Sequence, residues 1–280
     1  MQPAWTATDG RWILTNQTWV WKKFLDFSNR HFQWDNLGGI FALSHLKMTS
    51  QEALQIDPKI VNRMRDKKGK ELYGYQVQAI DTILSRIQRF PEGYNLLYQL
   101  PTGGGKTVIF SELAKRYILD TGKRVLILTH RIELLGQTSA MLTEIGVPNK
   151  IINSKVKELD DSGDHWCFVA MVETLNNRLN DERIGFEDLG LVVVDEAHYN
   201  SFRKLFKHFS KQVLLGVTAT PLSSNIKLPL HDNYAELIVG ESIGNLVEDG
   251  FLARAKTYSY DVNLRALKVG INGDYTVSSS

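Results

Sequence analysis

The chain of 280 residues holds one cysteine, Cys167, so it cannot form an internal disulfide, and its composition fits a reducing compartment. No apolar run comes near the length a bilayer demands, and the first residues lack the pattern of a secretion signal. A cytoplasmic location with no membrane partner is therefore expected. Net charge is also nearly absent, at +2, so the chain as a whole exerts little pull on nucleic acid; any such binding must come from a local patch. No group of His, Cys, Asp and Glu has the spacing of a nuclease or structural metal centre, and Asp160-Asp161-Ser162-Gly163-Asp164 lacks the distal Glu of a calcium loop. What remains is 43% hydrophobic and 23% charged, as in an ordinary globular protein of one large domain or two small ones.

Against these absences one stretch stands out: Gln99-Leu100-Pro101-Thr102-Gly103-Gly104-Gly105-Lys106-Thr107. An apolar run, Leu96-Leu97-Tyr98, leads in, and Val108, Ile109, Leu113, Ala114, Tyr117 and Ile118 lead out at helical spacing. Strand, glycine turn and helix in that order suit a phosphate: glycines free the backbone N–H groups, and the helix N-terminus adds partial positive charge. Lys106 is placed to reach β- and γ-phosphates, and the Thr107 hydroxyl suits Mg²⁺. Leu100 occupies the position where the phosphate-loop pattern has its first glycine.

Residues 1–70 have a different composition. They carry five of the six tryptophans, Trp5, Trp12, Trp19, Trp21 and Trp34. Val20, Phe24, Leu25 and Phe32 predict a helix with an aromatic face; Thr49 with Glu52 predicts a capping box; Asp57-Pro58 predicts the start of a short helix. The basic run Arg63, Arg65, Lys67, Lys68 and Lys70 reads as a solvated linker. A helical, Trp-rich accessory region is expected there. From Leu72 a larger domain opens, with Ile80, Ile83, Leu84 and Ile87 on one helix face and Gln76 near its start, where the amide can both donate and accept toward an adenine edge.

Beyond the glycine loop, Gly122 closes the helix and Arg124–Thr129 predicts a strand, followed by a helix opening at His130-Arg131. Lys150–Asn153 and the segment around Phe168 predict two more strands, the second holding Cys167 as a packing residue. Leu191-Val192-Val193-Val194 is apolar throughout, as a strand covered on both faces must be, and ends in Asp195-Glu196-Ala197-His198. A carboxylate at the carboxyl end of a parallel strand, beside the phosphate loop, offers Mg²⁺ an oxygen ligand, and Glu196 can take a proton from an attacking water. Phe202, Leu205, Phe206 and Phe209 predict an amphipathic helix, and Val213–Val217 a further strand ending in Thr218-Ala219-Thr220-Pro221. Strands alternating with helices predict an α/β fold, a mostly parallel sheet with helices on both faces.

Taken together these residues resemble the first RecA-like, ATP-binding domain of superfamily 2 DEAD/DEAH-box helicases, most closely the branch of type III restriction enzyme Res subunits and RadD-like proteins. Pro101–Thr107 resembles motif I, Asp195–His198 motif II, Thr218–Thr220 motif III, Tyr75-Gln76 the adenine-reading element, and Thr129–Gln137 motif Ia. The tail Gly240-Glu241-Ser242-Ile243 and Leu246–Leu252 is similar to the same branch, and the likeness covers about residues 71–262. Where the family has Arg-Pro ahead of Tyr-Gln, this chain has Tyr73-Gly74. The resemblance implies ATP and Mg²⁺ as cofactors. It implies that Pro101, Thr102, Gly103, Gly104, Gly105 and Lys106 hold phosphates, that Tyr73 and Gln76 receive the base, and that Thr107 and Asp195 hold the metal. Lys106, Glu196 and His198 are then the catalytic set. Thr218 and Thr220 join His198 in coupling nucleotide to nucleic acid, and Arg131 and Thr174 touch nucleic acid, DNA in preference to RNA.

The domain boundaries expected are 1–70 for the accessory region, 71–255 for the RecA-like domain, and 256–280 for a following segment in which Tyr258, Tyr260 and Val262 suggest a strand. The family's second RecA-like domain, with its arginine fingers, has no counterpart in the sequence. A fragment of a longer motor protein is therefore expected, one that binds ATP but turns it over slowly by itself. The rival expectation is a non-enzymatic nucleotide- and nucleic-acid-binding module that acts through a partner.

Overall fold

A computed structural model describes residues 56–67, 69, 71–90, 93–156, 164–181, 184–225 and 227–256, with the backbone of 13–15 and 18–20. The predicted capping box at Thr49 and Glu52, the aromatic positions from Trp21 to Trp34, and the strand expected at Tyr258–Val262 lie outside the described residues. Among the described residues nine strands form one sheet: β1 (Ile13–Thr15), β2 (Thr18–Val20), β3 (Leu96–Gln99), β4 (Arg124–Thr129), β5 (Asn149–Ile152), β6 (Cys167–Met171), β7 (Leu189–Asp195), β8 (Val213–Thr218) and β9 (Glu236–Val239). Their spatial order is β1-β2-β9-β3-β8-β7-β4-β6-β5. The seven strands from β9 to β5 run parallel, and the β1–β2 hairpin joins β9 antiparallel. The helices are α1 (Pro58–Asp66), α2 (Gly74–Arg89), α3 (Lys106–Thr121), α4 (Ile132–Glu144), α5 (Val172–Asn180), α6 (Arg203–Phe206) and α7 (Ile243–Glu248).

The period-two alternation of the strands sorts their residues into two cores. Tyr98, Val125, Ile127, Cys167, Val169, Leu191 and Val193 pack with α2, α3 and α4 on one face. Leu97, Leu126, Leu128, Phe168, Ala170, Val192 and Val194 pack with α5, Phe202, Leu205 and Phe209 on the other. Both faces being covered explains why β4 and β7 are buried along their whole length. Truncating one of these large residues to alanine should cost roughly 2–5 kcal/mol. Cys167 is among them, and burial pushes its thiol pKa up, which leaves it a packing residue.

Three expectations change. Val20, expected in a helix, lies instead in a strand, residues 18–20, whose partners are Glu236–Ile238, while Phe24, Leu25 and Phe32 lie outside the described residues. The hairpin satisfies the outer N–H and C=O groups of β9, which would otherwise be an open sheet edge. The basic run is not wholly a linker, since Arg63 and Arg65 lie in α1. Asp57 caps that helix by accepting from the Lys59 N–H at 2.8 Å, and Met64 is fully buried in the first core. Buried Lys115 donates to the Lys67 carbonyl at 2.8 Å, tying α3 to the helix end. The helix predicted around Phe202–Phe209 is one turn of 3-10 helix and one of α-helix, residues 200–206.

β9 shows no plain strand signal in the sequence. Its first residue, Glu236, is buried and paired with Arg86 Nε of α2 at 3.1 Å, while Tyr94 OH donates to it at 3.3 Å. Burial, then the Glu236 charge, pushes the Tyr94 hydroxyl up to about 12, so it stays a donor. A charge that sequence patterning places on a surface is here the pin between helix and sheet.

Candidate active site

All the motif residues lie at the carboxyl edge of the parallel sheet, where strands hand over to helices. Leu100 N–H donates to the Thr218 carbonyl at 3.0 Å, carrying the β3–β8 ladder one residue beyond β3. The Leu100 side chain is fully buried, and a Cβ on Gly104 would come within 2.9 Å of it, so the departure from the glycine pattern packs downward into the core. The loop then turns through Gly103 and Gly105, both in the left-handed region, at φ 84° and 81°. A Cβ at Gly105 would also lie 2.5 Å from Gln76 Nε2. Only glycine meets both demands. Gly105 delivers the chain into the first turn of the 16-residue α3, with Thr107 second in the helix.

Lys106 sits at the start of α3 with its side chain largely covered. Its ammonium lies 3.5 Å from the Leu100 carbonyl, a bond at the limit of length, and 3.9 Å from Glu196 Oε1. Asp195 ends β7 and is 6% exposed. Burial, then the neighbouring Glu196 charge, raises its pKa from 3.8 to about 6, with Lys106 pulling the other way. Its Oδ1 accepts the Glu196 N–H at 3.0 Å, and Glu196 takes a left-handed backbone, φ 52°. A non-glycine residue there is strained. The strain is held on both sides by the Asp195 contact and by Ala197 N–H donating to the Val217 carbonyl at 3.0 Å.

His198 Nδ1 lies 2.9 Å from Thr218 Oγ1 and 3.4 Å from Glu196 Oε2. The fully buried Thr218 hydroxyl in turn donates to the Thr220 carbonyl at 3.0 Å and accepts the Thr220 N–H at 3.1 Å. The three positions expected to act together thus form one bonded chain from β8 to the end of β7.

On the opposite side of the loop, Gln76 is 4% exposed. Its Oε1 accepts the Tyr73 N–H at 3.0 Å, closing the N-terminus of its own helix, while Nε2 rests against Gly105 and donates to Tyr75 OH at 3.5 Å. Tyr75 OH donates to the Gly104 carbonyl at 2.9 Å. Tyr73 is 51% exposed and lies 4.4 Å from Phe251 and 6.0 Å from Tyr75, ring to ring. Leu252 meets the loop at Gly103. Phe251 and Leu252 are site-forming residues to which sequence reasoning gave no role, and Tyr75 was named there only within the adenine-reading element; the signal for the first two was Gly250, whose φ of 79° turns the chain end of α7 back over the loop.

Arg131 and Thr174 stand elsewhere on the edge. β4 and β6 are neighbours, with Thr129 paired to Met171, so both residues lie just past adjacent strand ends. Arg131 caps α4 in an extended conformation and is exposed. Thr174 is in the first turn of α5.

No group of three or more His, Cys, Asp and Glu among the described residues could hold a metal ion. The oxygens beside the loop, the Thr107 hydroxyl and Asp195 carboxylate, are instead the sparse hard set that suits Mg²⁺ completed by phosphates and water. No described helix is long and apolar enough to cross a membrane.

The profile of the family described as "Type III restriction enzyme, res subunit" matches residues 69–223, more than half of the chain. A protein of Saccharomyces cerevisiae named "Putative ATP-dependent helicase IRC3" is 31% identical over 207 residues, which is 68% of this chain and 29% of that protein. A "51.5 kDa protein" of a Lactococcus phage is 28% identical over 187 residues, 65% of this chain and 36% of the phage protein. The chain thus spans about a third of the length of these relatives. Among solved structures, a nuclease-deletion mutant of the type ISP restriction-modification enzyme LlaGI, in complex with a DNA substrate mimic, aligns with a TM-score of 0.52 over 65% of this chain and 21% of that one. At 18% identity that likeness shows the shared RecA-like α/β fold. With the family profile laid across the glycine loop, the Asp-Glu-Ala-His strand end and the Thr-Ala-Thr turn, the chain belongs to the type III restriction enzyme Res-subunit family.

Proposed function

We propose that the chain is the ATP-binding motor domain of a nucleic-acid-dependent ATPase, a helicase or translocase acting on DNA, completed by a second RecA-like domain of a longer protein. The observation that carries this reading is the convergence of Lys106 from α3 and Glu196 from just past β7 to 3.9 Å beside the glycine loop, with His198 and Thr218 bonded behind Glu196.

The roles follow from the chemistry of each group. The loop N–H groups and the Lys106 ammonium bind the phosphates of ATP, and withdrawing Lys106 from Glu196 frees that carboxylate. Glu196 is oriented through His198 and accepts the proton of the attacking water at a carboxylate oxygen. Thr107 and Asp195 would hold Mg²⁺; when bound, the ion supplies positive charge against the phosphate oxygens. Tyr73 and Phe251 offer ring faces to the base, and Gln76 acts first as a brace between the start of α2 and the loop. Arg131 and Thr174 face the nucleic-acid backbone, which suits a motor indifferent to sequence.

Calorimetry of the 280-residue chain with ATP and Mg²⁺ tests the reading. Lys106→Ala removes a charge-assisted contact and should weaken binding by about tenfold to a hundredfold. Unchanged affinity in that variant would remove the phosphate-loop assignment.

A further inference from the structure

Three rings in tilted contact, with Tyr199 touching two histidines and itself without a role above, bridge the segment just past β7 that carries Glu196 and the segment just past β4 that carries Arg131. Tyr199 lies 4.2 Å from His198, ring centre to ring centre, at an interplanar angle of 37°. Tyr199 also lies 4.2 Å from His130, at 42°. His130 follows β4 and Tyr199 follows β7, and these strands are neighbours in the sheet.

Each end of the stack is tied to one functional residue. With the Thr218 hydroxyl donating to the Thr220 carbonyl and a carboxylate oxygen also beside His198 Nδ1, the tautomer that satisfies every contact carries its proton on Nδ1 and donates to Thr218. That same N–H faces Glu196 Oε2 at 3.4 Å. At the other end Arg131 Nε donates to His130 Nε2 at 3.2 Å, making that nitrogen the acceptor of a neutral ring. Burial, then the Arg131 charge, holds the His130 pKa below its ordinary value. His130 Nδ1 is sealed from solvent and has no hydrogen-bond partner among the described residues. A buried N–H left unpaired is unfavourable, and the contacts seen for this ring include Tyr199 and Arg131.

We propose that Tyr199 is the positioning residue through which engagement of Arg131 by a nucleic-acid phosphate shifts His198, and with it the Glu196 carboxylate. The proposal rests on the functional reading above and supplies its route of communication. A phosphate is a stronger partner for a guanidinium than a neutral ring nitrogen, so binding draws Arg131 off His130. His130 then loses that bond and shifts against Tyr199. Tyr199 packs against the second core and is joined to His198 both through the chain and through ring contact, so the displacement passes to His198 and its two acceptors. The ring carries the effect; the hydroxyl plays no part.

The test is thermodynamic. The 280-residue chain is titrated with a fluorescent, non-hydrolysable ATP analogue and Mg²⁺, with and without saturating oligodeoxythymidylate. Reciprocal coupling of about 5- to 150-fold in affinity is expected for the native chain. Tyr199→Leu keeps apolar volume but removes the ring, and should bring the coupling to about onefold while each ligand alone binds as before. Tyr199→Phe should restore it, a rescue that loss of bulk packing does not predict. If circular dichroism shows Tyr199→Leu to be unfolded, His130→Leu breaks the same stack and should give the same loss. Coupling retained without the ring, coupling lost in Tyr199→Phe, or a native chain that binds both ligands independently overturns the proposal. A native chain that binds no nucleotide overturns the functional reading itself, and the proposal with it.

Discussion

The carboxyl edge of the sheet holds two regions built by the same strand-to-helix rule and secured in opposite ways. Over β3, β8 and β7 the backbone is forced into the left-handed region at Gly103, Gly105 and Glu196, and Asp195 is buried with a raised pKa. Lys106 and Glu196 already face each other there, and His198 and Thr218 are bonded behind them. Over β4, β6 and β5 the helices start from ordinary extended residues, Arg131 and Ile132 are exposed, and Glu173 pairs with Lys204 at the surface. The first region stores strain and desolvation so that charges are in place before a ligand arrives. The second keeps long side chains in water, where they can follow a polyanion without preset geometry. Stability and function should therefore conflict in the first region and not in the second.

The largest effect should come from the group that only the first region can position. Glu196→Gln should slow hydrolysis roughly 10²–10⁴-fold in single-turnover assays while ATP affinity holds. An unchanged rate would move the base elsewhere.

Asp195→Asn tests the stored desolvation directly. The folded pKa of Asp195, about 6, lies above its ordinary 3.8. Below the lower value the carboxyl is neutral in both states; as the pH rises through the higher one, the folded protein must ionise a group that burial resists, and stability is lost. In chelator, urea unfolding should show Asp195→Asn more stable than native by on the order of 3 kcal/mol above pH 7, the gap closing as the pH falls through 6 toward 4. A constant gap across that range would refute the assignment.

A pair of glycine variants compares the two regions on equal terms. Gly105→Ala meets both a left-handed backbone and Gln76, and should cost about 1–3 kcal/mol as well as nucleotide affinity. Gly136→Ala, in α4 of the outer region with open space around it, should stabilise by up to about 1 kcal/mol in the same thermal melts. Equal signs for the two would collapse the contrast.

The smallest change in the fold should accompany Arg131→Ala. Stability and ATP affinity alone should stay native, while the slope of log affinity for single-stranded DNA against log salt falls by about 1. A change of sequence preference instead would show that Arg131 reads bases.

The buried region was legible and the exposed one was not, for a physical reason. Left-handed turns, a doubly covered strand and a carboxylate at its end each demand particular residue types, so Gly103, Gly105, the run Leu191–Val194 and Asp195 announce themselves. Arg131 and Thr174 were placed only through resemblance, since an exposed arginine in sequence looks like any solvated one. β9 escaped notice because Glu236 opens it, and β2 because Trp19 and Val20 suit helix or strand equally until β9 offers them a free edge.

Sequence by itself determined the alternation of strand and helix, the phosphate loop and the Asp-Glu-Ala-His strand end, because each follows from local periodicity or from one residue's backbone freedom. Tertiary structure alone decided which distant groups touch: Gln76 against Gly105, Phe251 beside Tyr73, Arg86 with Glu236, and His130 against Tyr199. Those contacts arise from strand order, and strand order is set by which faces and edges can be buried together, a property of the whole sheet that no local stretch of chain contains.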